Sequence, residues 1–345
     1  MANTVGMAAQ LAGNAVRFGW YTGVNWLLGR EVAQLGGRPR YKPKRPVPTS
    51  AEIFTELRAL LVRDAAGVRD GLYPPIDDEG GDLVGHFKRL RAMFADLPAS
   101  VGRRKESNVA SARDVPAAEG LPDYFTQDFH FQTDGYLSEG SAKLYDVQVE
   151  TLFYGAAAPM RRSALRPIAE YLKGRDQRQV ALVDVACGTG RLLRQVRLAF
   201  PAIQAKGIDL SEAYLGEAER HLRGLRAVDL IAGNAEALPL ADASQDIATC
   251  VFLYHELPPT VRRRVTAEIA RVLKPGGLFV FIDSLQMGDR PGWDGLLEAF
   301  PERFHEPYYR HYAIDDLEGM FTAAGLMPEK TELAFLSKVM VRQKA

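Results

Sequence analysis

Short apolar runs alternate with amphipathic stretches throughout the second half of the chain. The first two runs are VALVDVA (residues 180–186) and AKGIDL (residues 205–210), and similar runs follow at 228–231, 247–253 and 278–284. Helical spacing of apolar residues separates them, at 191–199, 211–222 and 260–272. Strands that alternate with helices of this length predict a parallel sheet with helices on both faces. Residues 330–341 instead read as two alternating runs, which favours a closing hairpin.

The first half of the chain is predicted to be mainly helical. A helix is expected to begin at Thr49, because Thr49 and Glu52 have the spacing of a capping box. Further helices are predicted at 86–97, 141–153 and 158–172, with a surface loop at 98–120 and an aromatic-rich segment at 121–136. We therefore predict a helical extension over residues 1–150, with a basic, proline-rich linker at 38–48, and an α/β domain over 151–345.

Residues 5–29 are apolar and aromatic, but polar side chains interrupt them. Gln10, Asn14, Arg17 and Asn25 argue against a membrane span, which needs about 20 mostly apolar residues. No basic region precedes the stretch, so a secretory signal is not expected either. Five basic residues follow it: Arg38, Arg40, Lys42, Lys44 and Arg45. Residues 5–45 either contact a membrane surface peripherally or pack on their own domain, and we favour packing.

Composition narrows the classes of function. Lys and Arg total 43, as do Asp and Glu, so no global charge favours nucleic acid, and none is expected as a partner. Only two cysteines occur, Cys187 and Cys250, both inside apolar runs. A disulfide framework or a cysteine metal site is therefore not expected, and we predict a cytoplasmic protein without a metal.

A glycine turn follows the first predicted strand. Gly188-Thr189-Gly190 stands between that strand and a helix, where backbone must approach a ligand closely. Asp209 ends the next strand, 19 residues after Gly190, where an acid can accept hydrogen bonds from both ribose hydroxyls of an adenosine ligand.

Two adenosine cofactors compete for this turn. A dinucleotide site requires a third glycine for tight packing of helix against strand, and Leu193 occupies that position. Asp184 precedes the turn, and its carboxylate would repel a pyrophosphate but suits the ammonium group of an amino acid. The turn therefore favours S-adenosylmethionine over NAD.

Four segments resemble the successive motifs of class I methyltransferases: VALVDVACGTGRLL, GIDLSEAYL, AGNAEALPLADASQD and RVLKPGGLFVFID. The similarity is greatest to the quinone-biosynthesis C-methyltransferases and covers about residues 180–285. It implies a Rossmann-like, seven-stranded sheet with a reversed C-terminal hairpin, and S-adenosylmethionine as cofactor. It specifies fold and cofactor but says little about the methyl acceptor.

The resemblance also implies positions for the cofactor. It assigns Asp209 to the ribose, Leu210, Asn234 and Ala235 to the adenine, and Phe252 to the sulfonium, with Tyr145 near the amino-acid end. Two positions depart from the usual pattern, since Ala186 replaces the first glycine and Asn234 the usual acid. The loop around the methionine part comprises Asp184, Ala186, Cys187, Gly188 and Gly190.

His255 and Glu256 are the candidate catalytic residues, because they directly follow the fourth strand, where sheet enzymes place their active sites. Two aromatic segments are predicted to wall the acceptor pocket, through Phe129, His130, Tyr136, His305, Tyr308 and Tyr309. The sequence thus predicts a methyltransferase with a small or lipid-like acceptor. The alternatives are a non-catalytic S-adenosylmethionine sensor and a membrane-surface methyltransferase of a quinone-like lipid.

Overall fold

The computed structural model describes residues 3–36, 41–78, 82–106 and 111–345. Arg38 and Arg40 of the predicted linker lie outside the described residues. The linker from residue 41 onward lies against a later helix, since the Tyr41 hydroxyl donates to Glu298 Oε1 at 2.6 Å and Gly295 N donates to the carbonyl of Pro46 at 2.8 Å. This part of the linker is therefore fixed to the α/β domain.

A seven-stranded sheet forms the centre of the fold and confirms the predicted topology. Its strand order is β3-β2-β1-β4-β5-β7-β6. Strands β1 to β5 pair in parallel, whereas β7 runs antiparallel to both β5 and β6, as the predicted hairpin requires. The strands are β1 (Ala181–Val185), β2 (Gln204–Asp209), β3 (Asp229–Ala232), β4 (Gln245–Val251), β5 (Leu273–Ser284), β6 (Leu326–Ala334) and β7 (Ser337–Lys344).

Twelve α-helices occur among the described residues, and they cover both faces of the sheet. They are α1 (Thr4–Gln34), α2 (Ser50–Arg69), α3 (Leu83–Glu106), α4 (Glu139–Leu152), α5 (Ala157–Arg162), α6 (Leu165–Tyr171), α7 (Arg191–Ala199), α8 (Glu212–Leu222), α9 (Pro259–Val272), α10 (Asp294–Arg303), α11 (Tyr309–Tyr312) and α12 (Leu317–Ala323). Alternate residues of β5 divide between the faces. Val280 and Ile282 join the core beneath α5–α7, while Phe279 and Phe281 join the core beneath α9 and α12.

Helix α2 packs into the core of the α/β domain, whereas α1, α3 and α4 enclose a smaller buried cluster that includes Tyr21 and Leu90. Leu57, Leu60 and Val68 of α2 belong to the same buried cluster as Ile168 of α6 and Leu193 of α7. Helix α4 runs across the predicted boundary at residue 150. The division into two domains at that residue stays a prediction.

The polar side chains that interrupt the apolar N-terminal segment face this packing interface. Gln10 and Asn14 of α1 both donate to Asp64 of α2, at 3.0 and 2.9 Å, and Arg17 pairs with Glu150 of α4 at 2.9 Å. Arg162 of α5 completes the cluster with two bonds of 2.8 Å to Asp64. Among the described residues no helix is both long and apolar enough to cross a membrane.

Two local predictions are wrong. Helix α3 does not end at residue 97 but continues through Pro98 to Glu106, because Val101 is buried and the Arg103 guanidinium is anchored by the carbonyl of Phe131 at 2.8 Å. The predicted helix 158–172 is divided into α5 and α6, which are separated at residues 163–164.

Candidate functional site

Two adjoining cavities lie at the carboxyl end of the parallel strands. The first, called here the strand-end cavity, is bordered by the loops that follow β1, β2, β3 and β4. The second, called here the histidine cavity, is bordered by α4, α10 and the turn that follows β4. Tyr145, Phe252 and Glu256 line both cavities, so the two spaces share one wall.

Gly188 and Asp209 form the polar side of the strand-end cavity. Asp209 Oδ2 accepts a hydrogen bond from Gly188 N at 2.7 Å, and Oδ1 accepts one from Ser211 N at 2.9 Å. A Cβ atom added at Gly188 would meet nothing within 4 Å. The glycine therefore leaves room for a ligand directly beside the carboxylate, which can still accept hydrogen bonds on its free lone pairs. Burial raises the pKa of Asp209, against the effect of its backbone hydrogen bonds.

Ala186 and Phe252 line the same cavity with unusual backbone. Their φ angles are +57° and +59°, in the left-handed region where residues other than glycine are uncommon. At Ala186 this conformation suits the glycine that the resemblance leads us to expect there.

Three residues predicted at the cofactor lie behind the cavity wall. The Asp184 side chain lies between β1 and β4, where its Oδ1 accepts a hydrogen bond from the Thr249 hydroxyl at 2.6 Å. Cys187 is buried against Gly207, and a Cβ at Gly190 would lie 3.0 Å from Ala218 of α8. In this structure all three hold the loop in place, and none lines the cavity.

Leu193 takes the place of a third glycine, as the sequence indicated. It is fully buried, and a Cβ at Gly207 of β2 would lie 2.6 Å from its Cδ1 atom. The close approach of helix α7 to the sheet is therefore made by a large side chain on the helix and a glycine on the strand. This arrangement reverses the pattern of a dinucleotide site.

Aromatic side chains close the strand-end cavity from the N-terminal side. Tyr136, Tyr145 and Tyr214 meet edge to face, with ring centroids 5.4–5.9 Å apart. Phe129 stacks on Tyr136 at 5.4 Å. Tyr214 was not singled out from the sequence, because it lies within a helix whose spacing indicates only core packing.

The remaining predicted cofactor residues line the strand-end cavity. Of the predicted acceptor residues, two line neither cavity. Leu210, Asn234 and Ala235 line the strand-end cavity. His130 and Tyr309 line the histidine cavity, whereas His305 and Tyr308 are both bonded to Gln127 and line neither space.

His255 and Glu256 point into the histidine cavity from the turn after β4. His255 Nδ1 lies 2.5 Å from Asp283 Oδ1, and its Nε2 lies 3.8 Å from Glu256 Oε1. Burial opposes a charge on the imidazole, but Asp283 and the two nearby glutamates outweigh it and raise the pKa of His255 to about 10. The ring is therefore protonated at neutral pH, which argues against a free base in the resting chain.

Asp283 was not identified from the sequence as a site residue. It ends β5, and its Oδ2 also accepts the backbone N–H of Tyr254 at 2.7 Å. An acid at the carboxyl end of a parallel strand is the signal that could have identified it.

A second histidine, His130, lines the same cavity, and a second glutamate, Glu306, is buried behind it. His130 Nε2 lies 3.1 Å from Glu306 Oε1 and 3.9 Å from Glu256 Oε1. Burial lowers the pKa of His130 to about 3, together with the influence of His255 and His305, so this ring is neutral. Burial raises the pKa of Glu306 well above its usual value and that of Glu256 to about 7. The Glu256 carboxylate also accepts the Tyr136 hydroxyl at 2.5 Å.

The strand order, the reversed last strand, the glycine beside an open cavity and the acid at the end of β2 define a class I methyltransferase domain. The site fits S-adenosylmethionine, because Asp209 can bind a ribose and the aromatic wall offers ring faces to a sulfonium.

Comparisons with known proteins agree with this class. Residues 182–277 match the model of the methyltransferase domain family. The chain is 34% identical over 171 residues to a ubiquinone/menaquinone biosynthesis C-methyltransferase of Methylobacterium nodulans. The matched region covers 47% of this chain and 63% of that protein. It is 32% identical over 122 residues to a phthiotriol/phenolphthiotriol dimycocerosates methyltransferase of Mycobacterium tuberculosis, which covers 35% of this chain and 44% of that one.

The chain thus spans about half the length of the curated relatives it matches. Among solved structures, human N-acetylserotonin methyltransferase in complex with S-adenosylmethionine has a TM-score of 0.51 and 16% identity, and the match covers 74% of this chain and 70% of the human one. That likeness concerns the fold alone. The match places a methyltransferase domain at residues 182–277, and over that part the chain is similar to the quinone-biosynthesis C-methyltransferases, a class whose cofactor is S-adenosylmethionine.

Proposed function

We propose that this protein transfers a methyl group from S-adenosylmethionine to a small or lipid-like acceptor bound in the histidine cavity. The observation that carries the proposal is the wall that the two cavities share, formed by Tyr145, Phe252 and Glu256. Methyl transfer requires the two reacting centres to come within about 3–3.5 Å, so donor and acceptor sites must adjoin in this way.

The lining of the histidine cavity favours an acceptor with an apolar part. Its walls include six apolar side chains: Val149, Leu152, Phe153, Leu296, Leu297 and Phe300. Such walls exclude water from the reacting centre. The relative from Methylobacterium is named for ubiquinone/menaquinone biosynthesis and that from Mycobacterium for phthiotriol/phenolphthiotriol dimycocerosates, and these names support an acceptor of a similar kind here.

For the cofactor we assign contacts to residues on the wall of the strand-end cavity. Asp209 binds the ribose hydroxyls, and Leu210, Asn234 and Ala235 border the adenine. Gly188 and Ala186 surround the methionine part, while Phe252 and Tyr145 lie nearest to the second cavity. Asp184, Cys187 and Gly190 support this loop from behind.

His255 handles the charge of the acceptor in this proposal. S-adenosylmethionine supplies an activated methyl group, so the chain has only to align the acceptor and receive or stabilise its charge. Asp283 fixes the imidazole through Nδ1 and thereby directs Nε2 toward Glu256 and the cavity. The acceptor enters as its anion, with its hydroxyl proton left in the solvent, and the imidazolium stabilises that negative charge. This modifies the general-base role expected from the sequence.

Turnover with isotopically labelled S-adenosylmethionine and a panel of quinols, phenols and cell lipids tests the proposal. His255→Ala should lower the rate by roughly 10²-fold or more, the range for loss of one group that stabilises developing charge, and leave cofactor affinity nearly unchanged. His311→Ala is the matched control, because that histidine is half exposed and faces away from both cavities. Binding of the cofactor with no methyl transfer to any acceptor would favour the sensor instead.

We also propose peripheral contact with a membrane surface through the N-terminal helices. Trp26 and Leu27 of α1 and Leu83, Val84 and Phe87 of α3 are large apolar side chains that remain exposed. The two helices pack on one another at Trp20 and Phe87, whose ring centroids are 5.4 Å apart. An exposed apolar surface of this kind suits an enzyme that takes its acceptor from a lipid phase.

A further inference from the structure

His130, Glu256 and Glu306 bring their side-chain ligand atoms together at the edge of the histidine cavity, which His130 and Glu256 line and behind which Glu306 is buried. All of these atoms, one imidazole nitrogen and one oxygen from each carboxylate, lie within 4.8 Å of one another. Metal–ligand bonds of about 2.0–2.2 Å hold ligand atoms roughly 3–4 Å apart. The observed separations need only small side-chain movements to reach that geometry.

Glu306 provides an independent indication of a missing ligand. Its side chain is completely buried, and neither carboxylate oxygen accepts a hydrogen bond in the structure. Burial of an unpaired carboxylate costs several kcal/mol, so such a group normally has a cation or a set of donors beside it. Among the described residues no Lys or Arg forms an ion pair with Glu306 or Glu256. The nearest cation to Glu256 is the His255 imidazolium, at 3.8 Å from its Oε1, and the Nδ1 side of that ring is already paired with Asp283.

The backbone at His130 has a strained conformation. His130 and Phe131 both have φ angles in the left-handed region, at +55° and +57°. His130 N donates to the carbonyl of His305 at 3.2 Å, and the ring meets Phe304 edge to face at 5.9 Å. These contacts aim Nε2 at the two glutamates instead of at solvent.

We propose that His130, Glu256 and Glu306 form a binding site for a divalent first-row transition metal such as Zn²⁺. An imidazole with two carboxylates suits Zn²⁺, Mn²⁺ or Fe²⁺, whereas Mg²⁺ and Ca²⁺ prefer oxygen ligands alone. Three protein ligands leave coordination positions open toward the cavity, as in catalytic metal sites. This proposal departs from the sequence, which led us to expect no metal.

A metal at this site would take part in the proposed methyl transfer. The role of the metal rests on that proposed function, whereas the binding of the metal does not. An acceptor hydroxyl that binds to an open position loses its proton more readily, because the metal stabilises the oxyanion. His255 stands beside the site, with Asp283 behind it, and would hold that oxygen from the other side. Metal binding itself requires neither cofactor nor acceptor.

Calorimetric titration of the tag-free, EDTA-treated chain with Zn²⁺ tests the site. We expect one ion per chain with micromolar affinity or better, unaffected by millimolar Mg²⁺. Glu306→Gln should weaken binding at least about tenfold, since even outer-shell partners contribute that much. Glu302→Gln, an exposed neighbour paired with Arg310, should bind as the unaltered chain does. Absence of binding, or equal binding by both variants, would overturn the proposal.

A measurement on the unaltered chain keeps the test independent of variant folding. Crystals grown with Zn²⁺ should show an anomalous peak between His130, Glu256 and Glu306, and a peak elsewhere or none would contradict the site. Titration with S-adenosylmethionine alongside separates the two hypotheses. A chain that binds Zn²⁺ but not S-adenosylmethionine keeps the metal site and loses the proposed function.

Discussion

At the residue scale, Asp209 has a structural contact in addition to the ribose-binding role that the sequence predicted. The sequence predicted a ribose acceptor at the end of β2, and the structure adds that the same carboxylate fixes the glycine loop through Gly188 N. Loss of this side chain would therefore remove the proposed ribose contact and also the hydrogen bond that holds the glycine loop.

Replacement of Asp209 by alanine should weaken S-adenosylmethionine binding by about 1–3 kcal/mol, or roughly 5- to 150-fold in Kd, because polar partners lose their hydrogen bonds. Isothermal titration calorimetry measures the change. Asp229→Ala on the neighbouring strand removes an exposed carboxylate paired with Lys206 and should leave Kd unaltered. Equal affinities for the two variants would exclude Asp209 from the cofactor site.

Asp184 connects the same loop to the pH dependence of stability. Burial raises its pKa to about 7, although the hydrogen bond from Thr249 opposes the shift. In the unfolded chain an aspartate titrates near pH 3.9. As pH rises above about 4 the unfolded chain ionises first, so the free energy of unfolding falls until the pH reaches the folded pKa near 7.

Asp184→Asn should remove this fall, which amounts to at most about 4 kcal/mol for a shift of about three units. In urea denaturation the variant should gain stability relative to the unaltered chain between pH 5 and pH 8. The exposed Asp229→Asn should show no such gain. If the free energies of unfolding of Asp184→Asn and the unaltered chain differ by the same amount at pH 5 and at pH 8, the carboxyl group titrates normally.

At the element scale, a buried polar cluster joins α1, α2 and α5. Gln10, Asn14 and Arg162 all donate to Asp64, and the Arg162 guanidinium pairs with Asp78 as well. The polar interruptions of the N-terminal segment thus have a structural purpose: they fix the position of α1 on the α/β domain.

Asp64→Ala should lower the free energy of unfolding by about 3–5 kcal/mol, since it leaves the buried Arg162 without its main partner. Urea denaturation followed by circular dichroism measures the loss. Asp70→Ala, which removes surface pairs with Arg69 and Arg166, should cost no more than about 1 kcal/mol. A loss of similar size in both variants would show that the cluster adds nothing beyond a surface pair.

At the scale of the whole molecule, the active-site end of the sheet and the exposed apolar side of α1 and α3 belong to one folded unit. A third cavity, bordered by α1, α3 and α4, shares His130, Tyr145 and Phe304 with the histidine cavity. An acceptor with a long apolar part could extend from the catalytic residues to the N-terminal helices. Because α1 is held by buried polar bonds, its deletion would disturb the fold, and point substitutions test the surface better.

The double substitution Trp26→Ser and Leu27→Ser should reduce co-sedimentation with anionic phospholipid vesicles at least about fivefold, since full burial of one large apolar side chain stabilises by about 1.5–3 kcal/mol. Ile314→Ser removes an exposed apolar side chain elsewhere and should sediment as the unaltered chain does. Equal sedimentation of all three proteins would rule out membrane contact through this surface.

The sequence by itself determined the sheet, its reversed hairpin, the cofactor class and the residues on the loops after β1 to β4. These features depend on local sequence: short apolar runs separated by amphipathic stretches, glycine beside a strand end, and an acid at the end of the next strand. The sequence did not predict contacts between segments that are far apart along the chain. His130 and Glu306 are 176 residues apart, and Asp64 and Arg162 are 98 apart.

Only the tertiary structure decided which predicted residues line a cavity. Asp184 and Cys187 carry the spacing of cofactor residues, yet packing between strands turned them inward, because a buried strand end has one face toward the cavity and one toward the core. His305 and Tyr308 form hydrogen bonds with Gln127. Asp283 contacts His255, and Glu306 contacts His130. Residue types indicate what chemistry is available, and folding determines which groups meet.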